Sequence, residues 1–503
     1  MNMKILSFLK KLFFVLIIVL AAVSCSDKDE DPIDPSTEQI LFNNGTEIGN
    51  GEQSFVIKES HTIKKGTYVL KGWVYIEDGA ILTIEPGTII KGDKATKAAL
   101  IARKGGKLIA NGTASAPIIF TSNQAKGSRK PGDWGGVILC GRAKNNIDIV
   151  NGMPIEGGPV APHGGSNDDD NSGVLSYVRI EFAGIPFATD QEINGLTLGS
   201  VGRGTQIDHV QVSYSGDDSF EWFGGTVNAK YLVAYHGWDD DFDTDNGYSG
   251  KLQFLLGVKN PKIADQSLSN GFESDNNANA TTDAPYTSPV FSNVTLVGPV
   301  GQASDFANTT QYINGNGLTS PDGGRLGIFQ AAVQIRRNSR LNLFNSVAIG
   351  YPVGLILDNQ KGSTQQSATN GNLKIQNNVF AGMTVLGSDI NKQSPTWTDQ
   401  LSTDGTNITD PTSASFSSTF FNLGANSNAT TSPNLKQPNS TVASPNYGPN
   451  TGSPLLGKAK FTDTMLLDSF FTKVTYSGAF ASSSDSDNWM LGWTNFDPQN
   501  ATY

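Results

Sequence analysis

A chain of 503 residues with 47 acidic against 36 basic side chains and a formal charge of -11 has the wrong sign for nucleic acid or an anionic lipid surface as its main partner. Its 55 glycines and 17% charged residues suit a fold with many tight corners, and 37% hydrophobic residues suffice for a long, narrow core. Four scattered histidines and two cysteines leave no zinc-type cluster, and Cys140, inside Gly136-Val-Ile-Leu-Cys140, reads as a small buried apolar residue.

Residues 1–24 carry Lys4, Lys10 and Lys11, then an apolar run from Leu12 to Val23 that is short for a membrane span, which predicts a cleaved signal. The junction Ala22-Val23-Ser24-Cys25 resembles a bacterial lipobox, with Ala22 where a Leu is usual. That resemblance implies that Cys25 is lipidated, with fatty-acyl chains such as palmitate. The following Ser26-Asp-Lys-Asp-Glu-Asp31 resembles the acidic export tag of Bacteroidota lipoproteins, which implies a lipid anchor in the outer membrane and a body facing the cell exterior. Residues 25–51 are then tag and tether, 52–388 the body, 389–453 a Ser/Thr/Asn-rich loop or arm, and 454–503 a last coil and cap.

The body reads as coils. Gly79-Ala-Ile-Leu-Thr-Ile-Glu-Pro-Gly-Thr-Ile-Ile90 alternates apolar residues and ends a strand at Pro86-Gly87, and Ala116-Pro-Ile-Ile-Phe-Thr-Ser122 continues the theme. These phrases resemble the opening coils of right-handed parallel β-helix proteins on bacterial surfaces, the pectin-lyase-like superfold. Farther on, Val178, Ile180 and Phe182 before Gly184 align with Val210, Val212 and Tyr214 before Gly216 and with Tyr231, Val233 and Tyr235 before Gly237. The alternation predicts that these point inward while Arg179, Glu181, Gln211 and Ser213 point outward. Asn293, Asn345 and Asn377 each stand five places before a glycine, as corner residues stacked along a solenoid. At about 22 residues per coil, 10 to 13 coils are expected.

Between Asp217 and Asn277 a short acidic pattern is written three times around Phe220, Phe242 and Phe272, each followed by a carboxylate: Glu221, Asp243 and Glu273. Successive coils would stack the rings inward and the acids outward. Carboxylates about 4.8 Å apart repel by roughly 3 kcal/mol at an effective dielectric near 20. A bound cation, a shared proton or exposure to solvent must relieve this. Calcium is the cofactor the pattern suggests, with Asp217, Glu221, Asp239, Asp241, Asp243, Asp245, Glu273 and Asp275 as ligands. The spacing of Asp241, Asp243 and Asp245 resembles the first half of a calcium loop, although Gly247 is one place late for an EF-hand. Asp168, Asp170 and Asn171, in the Gly-flanked loop before Gly173, form a second candidate site. Trp222, Trp238 and Tyr248 stand among the acids as candidate sugar-stacking aromatics, with packing the competing reading for Trp222, which shares the parity of Phe220.

Enzymes of the superfold that this chain resembles include uronate lyases, which pair calcium with a basic residue, and glycosidases with paired aspartates. Asp217, Asp218, Asp240 and Asp243 are the residues such a reading would use. Arg336, Arg337 and Arg340 read as several coils downstream of the acids. Large excursions are expected at Asn151–Ser172, Gly298–Gly327 and Asp389–Ser453. The closing aromatic segment, with Asn488-Trp-Met-Leu-Gly-Trp-Thr-Asn-Phe496, is the candidate cap for the exposed last coil.

The fold class is thus all-β, a right-handed parallel β-helix with long loop insertions and a C-terminal aromatic cap. The whole resembles an uncharacterised family of Bacteroidota surface lipoproteins. That resemblance implies a binding or scaffold module for extracellular glycan beside a TonB-dependent transporter, with a β-helix lyase or hydrolase as one alternative and an adhesin as another.

Overall fold

The period-2 alternation folds as short parallel strands that stack coil upon coil. The computed structural model describes residues 42–503 except 44, 148–151, 189–190, 319–320, 322–325, 391–400, 404–405, 409–413 and 437–443. The signal, Cys25, the acidic tag and the tether to residue 41 lie outside the described residues. Eleven strands form one continuous sheet: β1 (Phe55–Ile57), β2 (Trp73–Ile76), β3 (Ala99–Ala102), β4 (Gly136–Cys140), β5 (Leu196–Gly199), β6 (Phe220–Phe223), β7 (Phe242–Asp245), β8 (Phe272–Ser274), β9 (Ala331–Ile335), β10 (Val353–Leu357) and β11 (Val385–Ser388). Every neighbouring pair is parallel, one rung per coil, as a right-handed parallel β-helix requires.

A second, 17-stranded sheet supplies the other walls of the coil. Its long strands, such as Gly173–Glu181, Gln206–Ser213 and Asn228–Tyr235, bend midway at one residue with positive φ: Tyr177 (49°), His209 (51°) and Tyr231 (59°). The same corner is held by Phe254 at 64°, then by Asn293 at 58°, Asn345 at 52° and Asn377 at 58°. Asparagine visits this left-handed region readily and aromatic residues seldom do. The aromatic corners offset that cost by stacking outside the coil, with centroids 4.3 Å apart for Tyr177 and His209, 4.5 Å for His209 and Tyr231, and 5.2 Å for Tyr231 and Phe254.

Inside, the aromatic ladder is in the register that the repeat predicts. Phe220 pairs with Phe242 and Phe242 with Phe272, their rings 5.6 and 5.3 Å apart. All three are fully buried.

The third copy of the glycine-aligned repeat is displaced by one residue. Val178 and Val210 register with Leu232, not Tyr231, so Leu232 and Ala234 enter the core while Val233 and Tyr235 face outward. A one-residue slip exchanges the faces of a strand, and here both faces are apolar because the outer one is covered too.

What covers it is the C-terminal segment. Phe480, Trp489, Met490, Trp493 and Phe496 pack on Val233, Tyr235, Leu256, Val258 and Val297, so the aromatic segment lies along the flank of the solenoid and not across its last coil. The segment runs back along the stack, docked by amide side chains of alternate coils. Gln211 exchanges two hydrogen bonds with the Asn495 backbone (2.8 Å each), Gln253 two with Thr472 (2.7 and 2.8 Å), and Asn345 two with Lys460 (3.0 and 2.9 Å). Two of the corner asparagines, Asn345 and Asn293, the latter donating to the Tyr476 carbonyl at 2.8 Å, thus bind this strap where stacking upon one another was expected. At the far end the Tyr503 hydroxyl donates to Glu181 at 2.7 Å. The last coil is instead closed by α1 (Phe416–Phe421), within the segment expected to be a loop or arm: Phe421 stacks on Phe380 at 4.8 Å, and Leu357 N–H donates to Ser417 Oγ at 2.9 Å. Trp493→Ala should destabilise the protein by about 3–5 kcal/mol, as loss of a large buried aromatic does, measured by denaturant unfolding. Among the described residues no helix is long and apolar enough to cross a membrane.

Candidate functional site

The outward file of the eleven-stranded sheet reads Thr197 on β5, Glu221 on β6, Asp243 on β7 and Glu273 on β8, in direct register. The loops entering these strands add Asp217, Asp218, Asp239 and Asp240. Three of the acids are buried, Asp218 7% exposed, Glu221 5% and Asp240 4%, and Asp217, Asp239, Asp243 and Glu273 are half-buried. They form the floor of a cleft of about 1020 Å³ that is lined, among the described residues, by ten carboxyl groups and one guanidinium, Arg336.

The excursions build the walls. The 152–170 segment brings Glu156, the second strand of the hairpin, Gln191–Glu192, brings Glu192, residues 260–268 bring Asp265, Ser267 and Leu268, and the Gly298–Gly327 excursion brings Thr309, Thr310, Gln311 and Leu326. None of these lies in the repeat, so the sequence pattern could not assign them. Only Glu156, Thr309, Thr310, Gln311 and Leu326 fall within excursions that the sequence marks.

Three groups of carboxylates each offer ligand atoms within 4.8 Å of one another: Asp217, Asp218 and Asp239; Asp218, Glu221 and Asp243; and Asp240, Asp243 and Glu273. Asp218 and Asp243 are shared, so the groups form one chain of oxygens across three coils. Burial, followed by the charge of the neighbouring acids, pushes Asp217, Asp218, Glu221, Asp239, Asp240 and Asp243 well above the ordinary carboxylate range. Some are fixed from beneath: Asp218 Oδ1 accepts from Asp240 N–H at 2.8 Å, and Asp240 Oδ1 accepts from Asn270 N–H. Asp239 and Asp243 each keep a buried Oδ1 with no hydrogen-bond partner among the described residues.

Several expected ligands stand elsewhere. Asp241 is fully buried and turns away from the cleft to pair with Lys259, Nζ to Oδ1 3.2 Å, with Tyr351 Oη at 3.4 Å from Oδ2. Gly257 makes the room, since a Cβ there would lie 2.5 Å from Asp241 Oδ2. Burial pushes Asp241 up to about 6, against the pull of Lys259. Asp275 is held by Arg336 Nε at 2.9 Å and Arg337 Nη1 at 2.5 Å, and Asp245 Oδ1 accepts from Asn246 N–H at 2.6 Å, so neither joins the three groups. The second candidate site is occupied by its own loop: Asp168 pairs with Lys144 at 2.7 Å, Asp170 accepts from Ser172 Oγ at 3.1 Å, and Asn171 Oδ1 accepts from Gly173 N–H at 2.8 Å.

Trp222, Trp238 and Tyr248 are fully buried and offer no surface to a sugar. Trp222 stacks on Phe220 at 6.0 Å and on Tyr248 at 5.5 Å inside the coil, as its parity with Phe220 requires. Asp217, Asp218, Asp240 and Asp243 all line the cleft.

Arg336 is one coil from the acids, because Phe272 on β8 registers with Val333 on β9. The Gly298–Gly327 excursion consumes sequence without adding a coil. The Arg336 guanidinium donates to Glu273 and Asp275. Burial pulls it down, but those two carboxylates outweigh burial and hold it above its ordinary value.

Fold and site together define a parallel β-helix protein with a walled, acidic cleft over its middle coils. The model of the pectate-lyase-like β-helix domain family matches residues 55–434, and the chain belongs to that family. Among solved structures, the Dettilon tailspike protein (gp208) is similar over 67% of this chain and 61% of its own, at 13% identity and a TM-score of 0.27, so this chain spans less than two thirds of the tailspike's length. No curated protein matches it.

Proposed function

We propose that this chain is a lipoprotein of the outer-membrane surface, anchored at Cys25, whose acidic cleft binds divalent cations, calcium foremost, and through them extracellular glycan for a neighbouring TonB-dependent transporter. The observation that carries the reading is the chain of three carboxylate groups with ligand atoms within 4.8 Å. All the ligands are oxygens, the set a hard cation prefers. The one guanidinium among the described lining residues cannot neutralise ten acids, and Asp218, Glu221 and Asp240 are too buried for solvent to relieve their repulsion. The neutral polar wall of Thr309, Thr310 and Gln311 suits sugar hydroxyls. The test is a panel of polysaccharides immobilised and probed with the full chain in calcium or in chelator. Binding to at least one glycan that is lost in chelator and in Asp243→Asn supports the proposal; binding indifferent to both sinks it.

A second reading is hydrolysis of a glycosidic bond. It is favoured by carboxyl groups gathered on one floor, the residue type that glycosidases use in pairs, several of them raised by burial as a general acid requires. Turnover of a panel member, abolished by Asp218→Ala, would promote it. The lyase reading is weaker, because Arg336 is held protonated by two carboxylates and is a poor base.

A further inference from the structure

At the β5 end of the cleft, polar atoms are left over that the three carboxylate groups do not use. Thr197 and Asn194 are each 1% exposed. Thr197 lies on the outward file directly beside Glu221, and its hydroxyl has no hydrogen-bond partner among the described residues. Asn194 donates its amide to Glu221 Oε2 and hydrogen-bonds Glu156, yet its Oδ1 has no partner among them. Glu156, carried by the 152–168 segment, also hydrogen-bonds Glu221. Two carboxyl groups can make that bond only by sharing a proton, and a buried acceptor left unpaired costs about 1–3 kcal/mol. The Asn194 amide oxygen and the Thr197 hydroxyl thus stand without a partner among the described residues, beside a pair of carboxyl groups of which Glu221 is buried and Glu156 exposed.

We propose that a further divalent cation sits between Glu156, Glu221, Asn194 Oδ1 and Thr197 Oγ1, and that it fastens the 152–168 wall of the cleft to β5 and β6. This rests on the cation reading of the cleft, and it adds a structural ion that shares Glu221 with the carboxylate groups and takes its other ligands from outside them. Glu156 is the only one of these ligands on the insertion, so the ion crosslinks wall to sheet. Charge repulsion between Glu156 and Glu221 opens the wall when the ion leaves at neutral pH.

The experiment is hydrogen exchange of the 152–168 amides in the full chain, with calcium and with chelator, for the native protein and for Thr197→Val, Glu156→Gln and Asp240→Asn. Valine keeps the shape and β-branching of Thr197 and removes only the oxygen. At a calcium concentration 100 times its Kd, exchange through opening of the wall should slow by about 100-fold. The slowing should vanish in Thr197→Val and Glu156→Gln and persist in Asp240→Asn, which disturbs the far end of the cleft. If calcium binds the native chain but leaves wall exchange unchanged, or if both variants retain the slowing, the proposal is overturned and the cation reading of the cleft stands. Wall exchange that follows pH and ignores calcium would assign the Glu156–Glu221 contact to a shared proton and overturn it equally. A native chain that binds no calcium ends both.

Discussion

In chelator, the protein should lose stability as pH rises from about 4.5 to 8, and calcium should reverse that slope. The sign follows from the direction of the shifts. Asp217, Asp218, Glu221, Asp239, Asp240 and Asp243 have folded pKa values raised well above the unfolded values of 3.8 for Asp and 4.5 for Glu. A raised carboxyl binds its proton more tightly in the folded state. Its stabilising contribution is therefore complete below the unfolded value and is lost as pH climbs through the folded one. The metal-free protein should be most stable in mild acid. Calcium needs the deprotonated ligands, so its affinity grows over the same range. Each ion at 100 times its Kd adds about 2.7 kcal/mol, roughly 3 °C for a body of this size unfolding as one unit. Thermal melts at pH 5 and pH 8, in chelator and in millimolar calcium, check this. Melts at pH 8 that calcium does not move would leave the cleft without a cation.

Lys259→Met should destabilise the protein by about 3–5 kcal/mol near neutral pH, the cost of leaving one partner of a buried ion pair uncompensated. Lys259 and Asp241 are 1% and 0% exposed at their side chains, and the Lys259 ammonium also donates to the Asp239 carbonyl. The loss should shrink toward pH 5, because Asp241 is already raised to about 6 and rises further without its cation. Lys259→Met with Asp241→Asn should recover much of the stability, since the isolated charge is then gone. Denaturant unfolding of the single and double variants at pH 5 and pH 8 measures both effects. A single variant as stable as the native chain at pH 8 would show that the pair does not hold the turn into β7 beneath the cleft.

The register of the cleft floor was legible because Phe220, Phe242 and Phe272 repeat with a carboxylate attached, and a period of two sends ring and acid to opposite faces. Tyr231, Val233 and Tyr235 misled for a related reason. The strap buries the outer face of that strand, so apolar residues stand on both faces and the alternation no longer marks the inside. Arg336 was misplaced because a long excursion looks, in sequence, like more coils. Glu156, Glu192 and Asp265 come from insertions with no period, and only the folded chain brings them to the floor. Asp241 shares the local spacing of Asp243 but precedes the strand, where Gly257 and Lys259 draw it inward. Trp222 carried its own answer in its parity with Phe220, whereas Trp238 and Tyr248 lie at turns for which alternation gives no rule.

Calcium retained by the full chain after equilibrium dialysis, counted by elemental analysis per mole of protein, bears most directly on the cleft. The comparison is with Asp218→Asn/Asp243→Asn, which breaks all three carboxylate groups because each contains one or both of those residues. The native chain should hold more than one ion at neutral pH, and the double variant, still folded by its melt, should hold fewer. A native chain that retains none, or a double variant that retains as much as the native chain, would contradict the cleft's role as a cation site.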